Sequence, residues 1–200
     1  MKNVTIRSAK IEDLDFAFEM SVEAGTGMIE RFLGCGSKDF AYKVFKSIWQ
    51  GKSNRFHYEN AKIVMNGYDK AGFIVSYRVD KSKKSSLNIL QLLTIGGFKM
   101  FWYYLTHIRE LITALSLPEG KQGEYYISTI AIHSSQRGQG VGTMVILDEI
   151  ETAKRLDLKT VSLIVDKNNS SAKKLYERMG FIVDQSSIKK SSYRMTLDLQ

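Results

Sequence analysis

The sequence predicts a single domain of the mixed α/β class over residues 1–200. A strand-like run at 125–132 is followed by a glycine-rich turn, a helix-like run at 143–156 and another strand-like run at 160–165. This order of periodicities indicates a strand–helix–strand unit. Upstream, runs at 61–65 and 72–79 flank turn residues, which predicts a β-hairpin. The length is ample for one sizeable core.

The composition is that of a soluble globular protein. Hydrophobic residues make up 44% of the chain and charged residues 25%. The only cysteine, Cys35, cannot form an internal disulfide bond and fits a reducing compartment. The first residues alternate like a strand and carry no apolar signal core. We therefore expect a cytoplasmic protein.

The net charge of +8 would attract polyanions, and nucleic acid is one of them. No recognition-helix or aromatic stacking motif accompanies the charge, so we expect no specific nucleic-acid partner. The histidines, at 57, 107 and 133, are isolated from one another and from Cys35. We therefore expect no metal site.

In the N-terminal half of the chain, the spacing of apolar residues predicts a short strand followed by helices. A strand begins at Val4, a helix covers 11–24, and a short helix between glycines covers 26–38. Another helix covers 40–50, with Asp39 as its expected cap. A polar linker covers 81–86.

The segment from 87 to 117 is rich in leucine, isoleucine and aromatic residues at helical spacing. Charged residues interrupt it, so no charge-free run reaches the length of a transmembrane helix, and we expect no such segment. An inserted helical pair that covers the sheet or forms a homodimer face is favoured. An amphipathic helix on a membrane surface is the alternative.

The central turn reads Gln136-Arg137-Gly138-Gln139-Gly140-Val141-Gly142-Thr143. Its glycines let a ligand approach the backbone, and the first turn of the next helix offers unpaired amides to a phosphate. Arg137 adds a cation that can grip a phosphate. The dinucleotide and P-loop patterns both fail here, which leaves R-x-x-G-x-G. A glycine-rich turn without a ligand is the alternative at this point.

A second motif follows, with Asn169, Ala172, Leu175, Tyr176, Gly180 and Phe181 at the fixed positions of N-x-x-A-x-x-L-Y-x-x-x-G-F. Together the two motifs resemble the GNAT superfamily of N-acetyltransferases. The resemblance is strong over about 125–185, weaker at 6–13 and absent over about 82–120.

The resemblance implies a mostly antiparallel central sheet flanked by helices, with a helical insert at about 82–120 between the third and fourth strands. It implies transfer of an acetyl group from acetyl-CoA, the cosubstrate, to a primary amine by direct attack in a ternary complex. The strand at 125–132 is expected to splay from its neighbour and pair with the pantetheine arm. The cofactor-binding residues it implies are Ile130, Ala131, Ile132, Arg137, Gly138, Gln139, Gly140, Val141, Gly142, Thr143 and Asn169.

Catalytic roles also follow from the resemblance. Tyr176 stands at the family's tyrosine position and is expected to protonate the leaving thiolate, although its helical spacing also suits a packing residue. Glu124, at what we expect to be an exposed strand start, is the candidate general base, with a surface charge as the alternative. His133 is a second candidate base. Asn169 would hold the cofactor or a water, or would only end a strand.

A catalytically silent acyl-CoA-binding or regulatory domain is the alternative function. The pocket for the acceptor would be built by residues 26–49 and the insert, and no motif there identifies the acceptor. We expect a small-molecule amine rather than a protein.

Overall fold

A computed structural model describes residues 4–24, 28–51, 54, 56–80, 89–115, 120–187 and 191–199. The strands are β1 Val4–Ser8, β2 Ala61–Asn66, β3 Asp69–Arg78, β4 Tyr125–Ile132, β5 Thr160–Asp166, β6 Ile182–Val183 and β7 Ser192–Asp198. The helices are α1 Leu14–Ala24, α2 Met28–Phe32, α3 Lys38–Gln50, α4 Ile89–Thr106, α5 Ile108–Leu115, α6 Val141–Arg155 and α7 Ser170–Arg178.

The strands form one seven-stranded sheet in the order β1-β2-β3-β4-β5-β7-β6. The pairs β1–β2, β2–β3, β5–β7 and β6–β7 are antiparallel, whereas β4 and β5 are parallel. This confirms the predicted mixed, mostly antiparallel sheet with helices inserted between its third and fourth strands.

The chain clusters into two compact units, and the single domain stays a prediction. The first unit comprises Met1–Val75, Lys83–Leu117 and Thr129–His133. Its aromatic core forms where Trp49 stacks on Phe45 and meets Phe73, and all three side chains are fully buried. The helical spacing of α3 places both of its aromatic residues on the buried face.

The β2–β3 hairpin is confirmed, but its turn is shorter than expected. Gly67, with a φ of +65°, and Tyr68 make the reversal, and β3 already begins at Asp69. Met65 pairs with Lys70 while Val64 pairs with Gly72, which leaves Ala71 as a bulge.

The cap of α3 was predicted wrongly. The Ser37 hydroxyl accepts a hydrogen bond from the Phe40 amide at 3.3 Å, and Asp39 lies inside the first turn. Serine can fill this role because its short side chain reaches back to the first free amides of a helix.

The segment between β3 and β4 forms the predicted pair of helices, α4 and α5. Gly97, with a φ of +59° and a ψ of −152°, interrupts α4. Leu92, Met100 and Tyr104 are buried on one side of α4, and the Tyr104 hydroxyl donates to the Phe32 carbonyl at 2.6 Å. The described part of the chain contains no helix that is long and apolar enough to cross a membrane.

The second unit comprises Ser76–Ser82, Pro118–Ser128 and Ser134–Gln200. Val161, Leu163, Phe181 and Met195 are nearly or fully buried there. Gly180, with a φ of +90°, follows the end of α7, where the left-handed conformation that ends many helices favours glycine. The glycines at 25 and 27 and the 81–86 linker lie outside the described residues.

Candidate functional site

The glycine-rich turn lies in the second unit. Gly138 and Gly140 have φ values of +72° and +80°, in the left-handed region that strongly favours glycine. Gly140 is the N-cap of α6, and the first bond inside the helix runs from the Met144 amide to the Gly140 carbonyl at 3.1 Å. The helix therefore begins at Val141, two residues before the predicted start.

This geometry suits an anion. The amides of Val141, Gly142 and Thr143 precede the first intrahelical bond, so α6 itself offers them no acceptor. The positive end of the helix dipole lies at the same place. Arg137 is exposed beside it, and the Gln139 side chain is tied to the Ser135 carbonyl at 2.9 Å. The turn can therefore hold a phosphate group by backbone and side chain together.

Helix α7 lies against the start of α6. A Cβ added to Gly142 would meet the Leu175 side chain at 3.5 Å, so the two elements are in close contact. Asn169 caps α7, and its Oδ1 accepts from the Ala172 amide at 3.1 Å. Its carbonyl oxygen is thereby engaged, while the side chain as a whole is exposed. The NH₂ group of Asn169 remains the donor available to a ligand.

Tyr176 is partly buried on α7, with its ring 5.9 Å from that of Phe181. Among the described residues no atom pairs with its hydroxyl. Burial raises the pKa of Tyr176 to about 12. The hydroxyl is therefore protonated at neutral pH and is a hydrogen-bond donor. Ala172, Leu175 and Met179, at helical spacing from Tyr176, are likewise only partly buried.

Residues 129–132 of β4 belong to the first unit. β3 approaches them closely, because a Cβ added to Gly72 would lie 2.7 Å from the Ala131 carbonyl oxygen. Just beyond the strand, the His133 amide donates to the Ala71 carbonyl at 2.9 Å. In the second unit, the pairing of β4 with β5 runs only from Tyr125–Val161 to Ile127–Leu163.

The expectation that Glu124 lies at an exposed strand start is wrong. Its relative exposure is 9%, and Arg194 on β7, with 2%, forms an ion pair with its Oε2. The same oxygen accepts from the Lys121 amide and the Ser162 hydroxyl, both at 2.7 Å. Arg194 also donates to Asp184 at 2.6 Å. Three donors on one oxygen leave that atom poorly placed to take a proton from a substrate.

Sequence reasoning missed a second buried carboxyl group. Glu149 on α6 is fully buried and accepts from the Tyr125 hydroxyl at 2.7 Å, while Ser76 lies 3.0 Å from the same hydroxyl. The signal was available, because Glu149 follows Ile146 by three residues on the apolar face of the helix. Leu147, one position after Ile146, is exposed.

No metal-binding cluster of histidine, cysteine or acidic residues is found within the described residues. Of the two candidate bases, His133 is exposed at the end of β4. Cys35 is partly buried, and burial raises the pKa of its thiol, so it is a poor nucleophile.

Comparison with known protein families finds a similarity over part of the chain. The model of the Acetyltransferase (GNAT) family matches residues 94–181. This segment begins in α4 and ends after α7, and it contains both motifs. The match also includes residues 94–120, where we expected no resemblance. Residues 94–181 are thus similar to the GNAT acetyltransferases, a family of acyltransferases.

Solved structures show the same fold. An N-acetyltransferase from Staphylococcus aureus Mu50 is 23% identical, with a TM-score of 0.65, and the match covers 98% of this chain and 100% of that one. The PaiA N-acetyltransferase from Thermoplasma acidophilum, in complex with coenzyme A, is 12% identical, with a TM-score of 0.57 and coverage of 98% and 99%.

The ribosomal-protein-S18-alanine N-acetyltransferase from Escherichia coli is 17% identical, with a TM-score of 0.53 and coverage of 98% and 93%. A search of curated protein sequences found no match. The likeness to solved structures therefore establishes the fold.

Proposed function

We propose that the protein is an N-acetyltransferase that moves an acetyl group from acetyl-CoA to the primary amine of a small molecule, by direct attack in a ternary complex. The observation that carries this proposal is the glycine turn at the start of α6 with α7 packed beside it. An anion-binding turn and a protonated tyrosine then belong to the same unit.

The turn would hold the pyrophosphate of acetyl-CoA. Its left-handed glycines and first-turn amides fit a diphosphate, and Arg137 would add a cation for the second negative charge. The residues assigned to this role are Arg137, Gly138, Gln139, Gly140, Val141, Gly142 and Thr143.

The pantetheine amides are assigned to the backbone of Ile130, Ala131 and Ile132. In support, β4 continues to Ile132 although its pairing with β5 ends at Ile127. Peptide groups at a strand edge can bind an extended chain as an added strand does. Asn169 would contribute its side-chain NH₂ group to the cofactor or to a water.

Acetyl-CoA supplies a thioester. The reaction forms a C–N bond and breaks the C–S bond, while the nitrogen releases a proton to the solvent and the leaving sulfur takes one up. Removing the proton from an ammonium group with a pKa near 10.4 costs about 4 to 5 kcal/mol at pH 7. The buried ion pair with Arg194 favours a structural role for Glu124 over that of the general base. Without a general base, the reaction would use the small fraction of the acceptor amine that is already neutral at the working pH. We therefore expect kcat/KM to rise with pH toward the pKa of the acceptor.

Tyr176 is proposed to assist the leaving group. With a pKa of about 12 it is a weaker acid than a thiol, whose usual pKa is about 8.5. Its role is therefore to donate a hydrogen bond to the developing thiolate, while the proton that sulfur finally acquires comes from the solvent. Such a contact lowers the barrier because it exists only as charge develops on sulfur.

The variant Tyr176→Phe tests this role. We expect kcat to fall about 100-fold, with the Kd of coenzyme A changed by less than about twofold. Tyr193→Phe is the matched control, because Tyr193 is also partly buried in this unit but packs against Lys167 at 5.0 Å. An unchanged kcat in Tyr176→Phe would remove the tyrosine from the mechanism.

A further inference from the structure

The helices between β3 and β4 expose a large apolar surface. Phe98 and Trp102 are 78% and 56% exposed, and their rings stack with centroids 6.2 Å apart. Phe101, Leu105, Ile108 and Ile112 are each about half exposed. We call these six residues the α4–α5 apolar face. All of them lie in the first unit.

The spacing of the face is that of a helix-pairing seam. Phe98, Phe101, Leu105, Ile108 and Ile112 follow one another at alternating steps of three and four residues. This is the a/d pattern by which two helices pack along their length. It persists across the junction of α4 and α5, where the amide of His107 donates to Tyr103 at 2.9 Å and the amide of Leu111 to His107 at 3.2 Å.

The opposite side of α4 packs inside the first unit. Leu92, Met100 and Tyr104 are buried within the first unit, and the Lys99 ammonium lies 4.2 Å from the centre of the Phe40 ring. This part of α4 is therefore apolar on two sides. A helix that is apolar all round belongs in a protein interior or in lipid. A surface-bound membrane helix instead has a polar face rich in lysine and arginine.

The area matches that of a protein interface. Given their exposed fractions, the six side chains present on the order of 700 Å². The largest apolar patch of a typical monomer is about 300–600 Å². A standard interface buries about 800 Å² on each partner. The absence of charged residues from the seam and its content of Phe and Trp are typical of the centre of a homodimer interface.

From this size, spacing and composition we propose that the α4–α5 apolar face binds a second copy of this chain in a two-fold symmetric dimer. In such a dimer the same patch meets itself, so an a/d seam from one copy packs against that of the other. A seam without charges cannot select a foreign partner by charge complementarity, whereas a second copy always carries the matching surface. The dimer does not depend on the proposed enzymatic function.

The experiment measures the mass of the full chain in solution by analytical ultracentrifugation, from low to high micromolar concentration. We expect twice the chain mass of 22.8 kDa. The variant Phe98→Glu/Leu105→Glu should dissociate, with the dimer Kd raised about 100-fold or more. Tyr68→Glu is the control, since Tyr68 is fully exposed in the β2–β3 turn, outside the face, and should remain dimeric.

Tryptophan fluorescence gives a second readout that needs no variant. Trp49 is fully buried, so acrylamide quenching reports mainly on Trp102. Quenching should fall as the protein concentration rises and the dimer forms. A chain of 22.8 kDa at every concentration, with constant quenching, would overturn the proposal. Monomers that bind anionic phospholipid vesicles through the same face would overturn it in favour of a membrane surface.

Discussion

Replacing Glu124 tests whether its carboxylate has a structural or a catalytic role. The variant Glu124→Gln removes one of the two negative charges that hold Arg194, and it retains an oxygen that can accept from Lys121 and Ser162. Arg194 is buried and would then be paired with Asp184 alone. Stability should therefore fall while the chemistry is spared.

The magnitude follows from these contacts. Removing one partner of a fully buried ion pair costs about 3 to 5 kcal/mol. Because Asp184 remains, we expect about 2 to 3 kcal/mol here, which for a chain of this size lowers Tm by about 5 to 10 °C. In the double variant Glu124→Gln/Arg194→Gln, the loss should be smaller than the sum of the two single losses.

The assay combines thermal unfolding with steady-state kinetics well below Tm. We expect kcat to change by less than about twofold, since a general base would contribute about 100-fold or more. Glu151→Gln is the control, because Glu151 pairs with Lys154 at the surface and should cost less than about 1 kcal/mol. A loss of about 100-fold in kcat at unchanged Tm would refute the reasoning and restore Glu124 as the base.

Further predictions concern the N-terminal carboxylate and the turn. Asp13 is fully buried and accepts from Arg7 and Lys70, both at 2.7 Å, and these contacts hold its pKa well below the usual value. Its contribution to stability is therefore present above about pH 4 and is lost as the pH falls further. Denaturant unfolding of Asp13→Asn should show lower stability than wild type at pH 7 and a difference that shrinks below pH 4; a constant difference would contradict this. Arg137→Ala should raise the Kd of coenzyme A about tenfold in calorimetry with an unchanged Tm, and equal affinity would exclude Arg137 from the site. Gly140→Val should weaken coenzyme A binding and lower Tm, because a β-branched residue is strained at a φ of +80°; a variant with wild-type Tm would show that the turn tolerates side chains.

Many of the strands and helices could be predicted because they depend on local periodicity, whereas the arrangement of the sheet was implied by the resemblance to a family. Alternation located β4 without error, and Gly180 marked the end of α7. Two helix starts differ from the prediction. Ser37 caps α3 in place of Asp39, and α6 begins at Val141, directly after Gly140.

The buried polar groups could not be predicted in the same way. Met195 and its neighbour Arg194 are both buried, because β7 is an interior strand between β5 and β6. Its partner Glu124 lies 70 residues earlier in the chain, so only the folded structure brings the two side chains together. Charged residues are usually exposed, and Glu124 was expected at an exposed strand start. Its buried ion pair with Arg194 reverses that expectation.

The most direct test of the account is thiol release from acetyl-CoA across a panel of primary amines and peptides, with calorimetric binding of acetyl-CoA alongside. The account predicts saturable binding, abolished or weakened by Gly140→Val, and turnover with one class of small primary amine. Binding without turnover on any amine or peptide would contradict the proposed acetyl transfer. The absence of binding would contradict the assignment of the glycine turn itself.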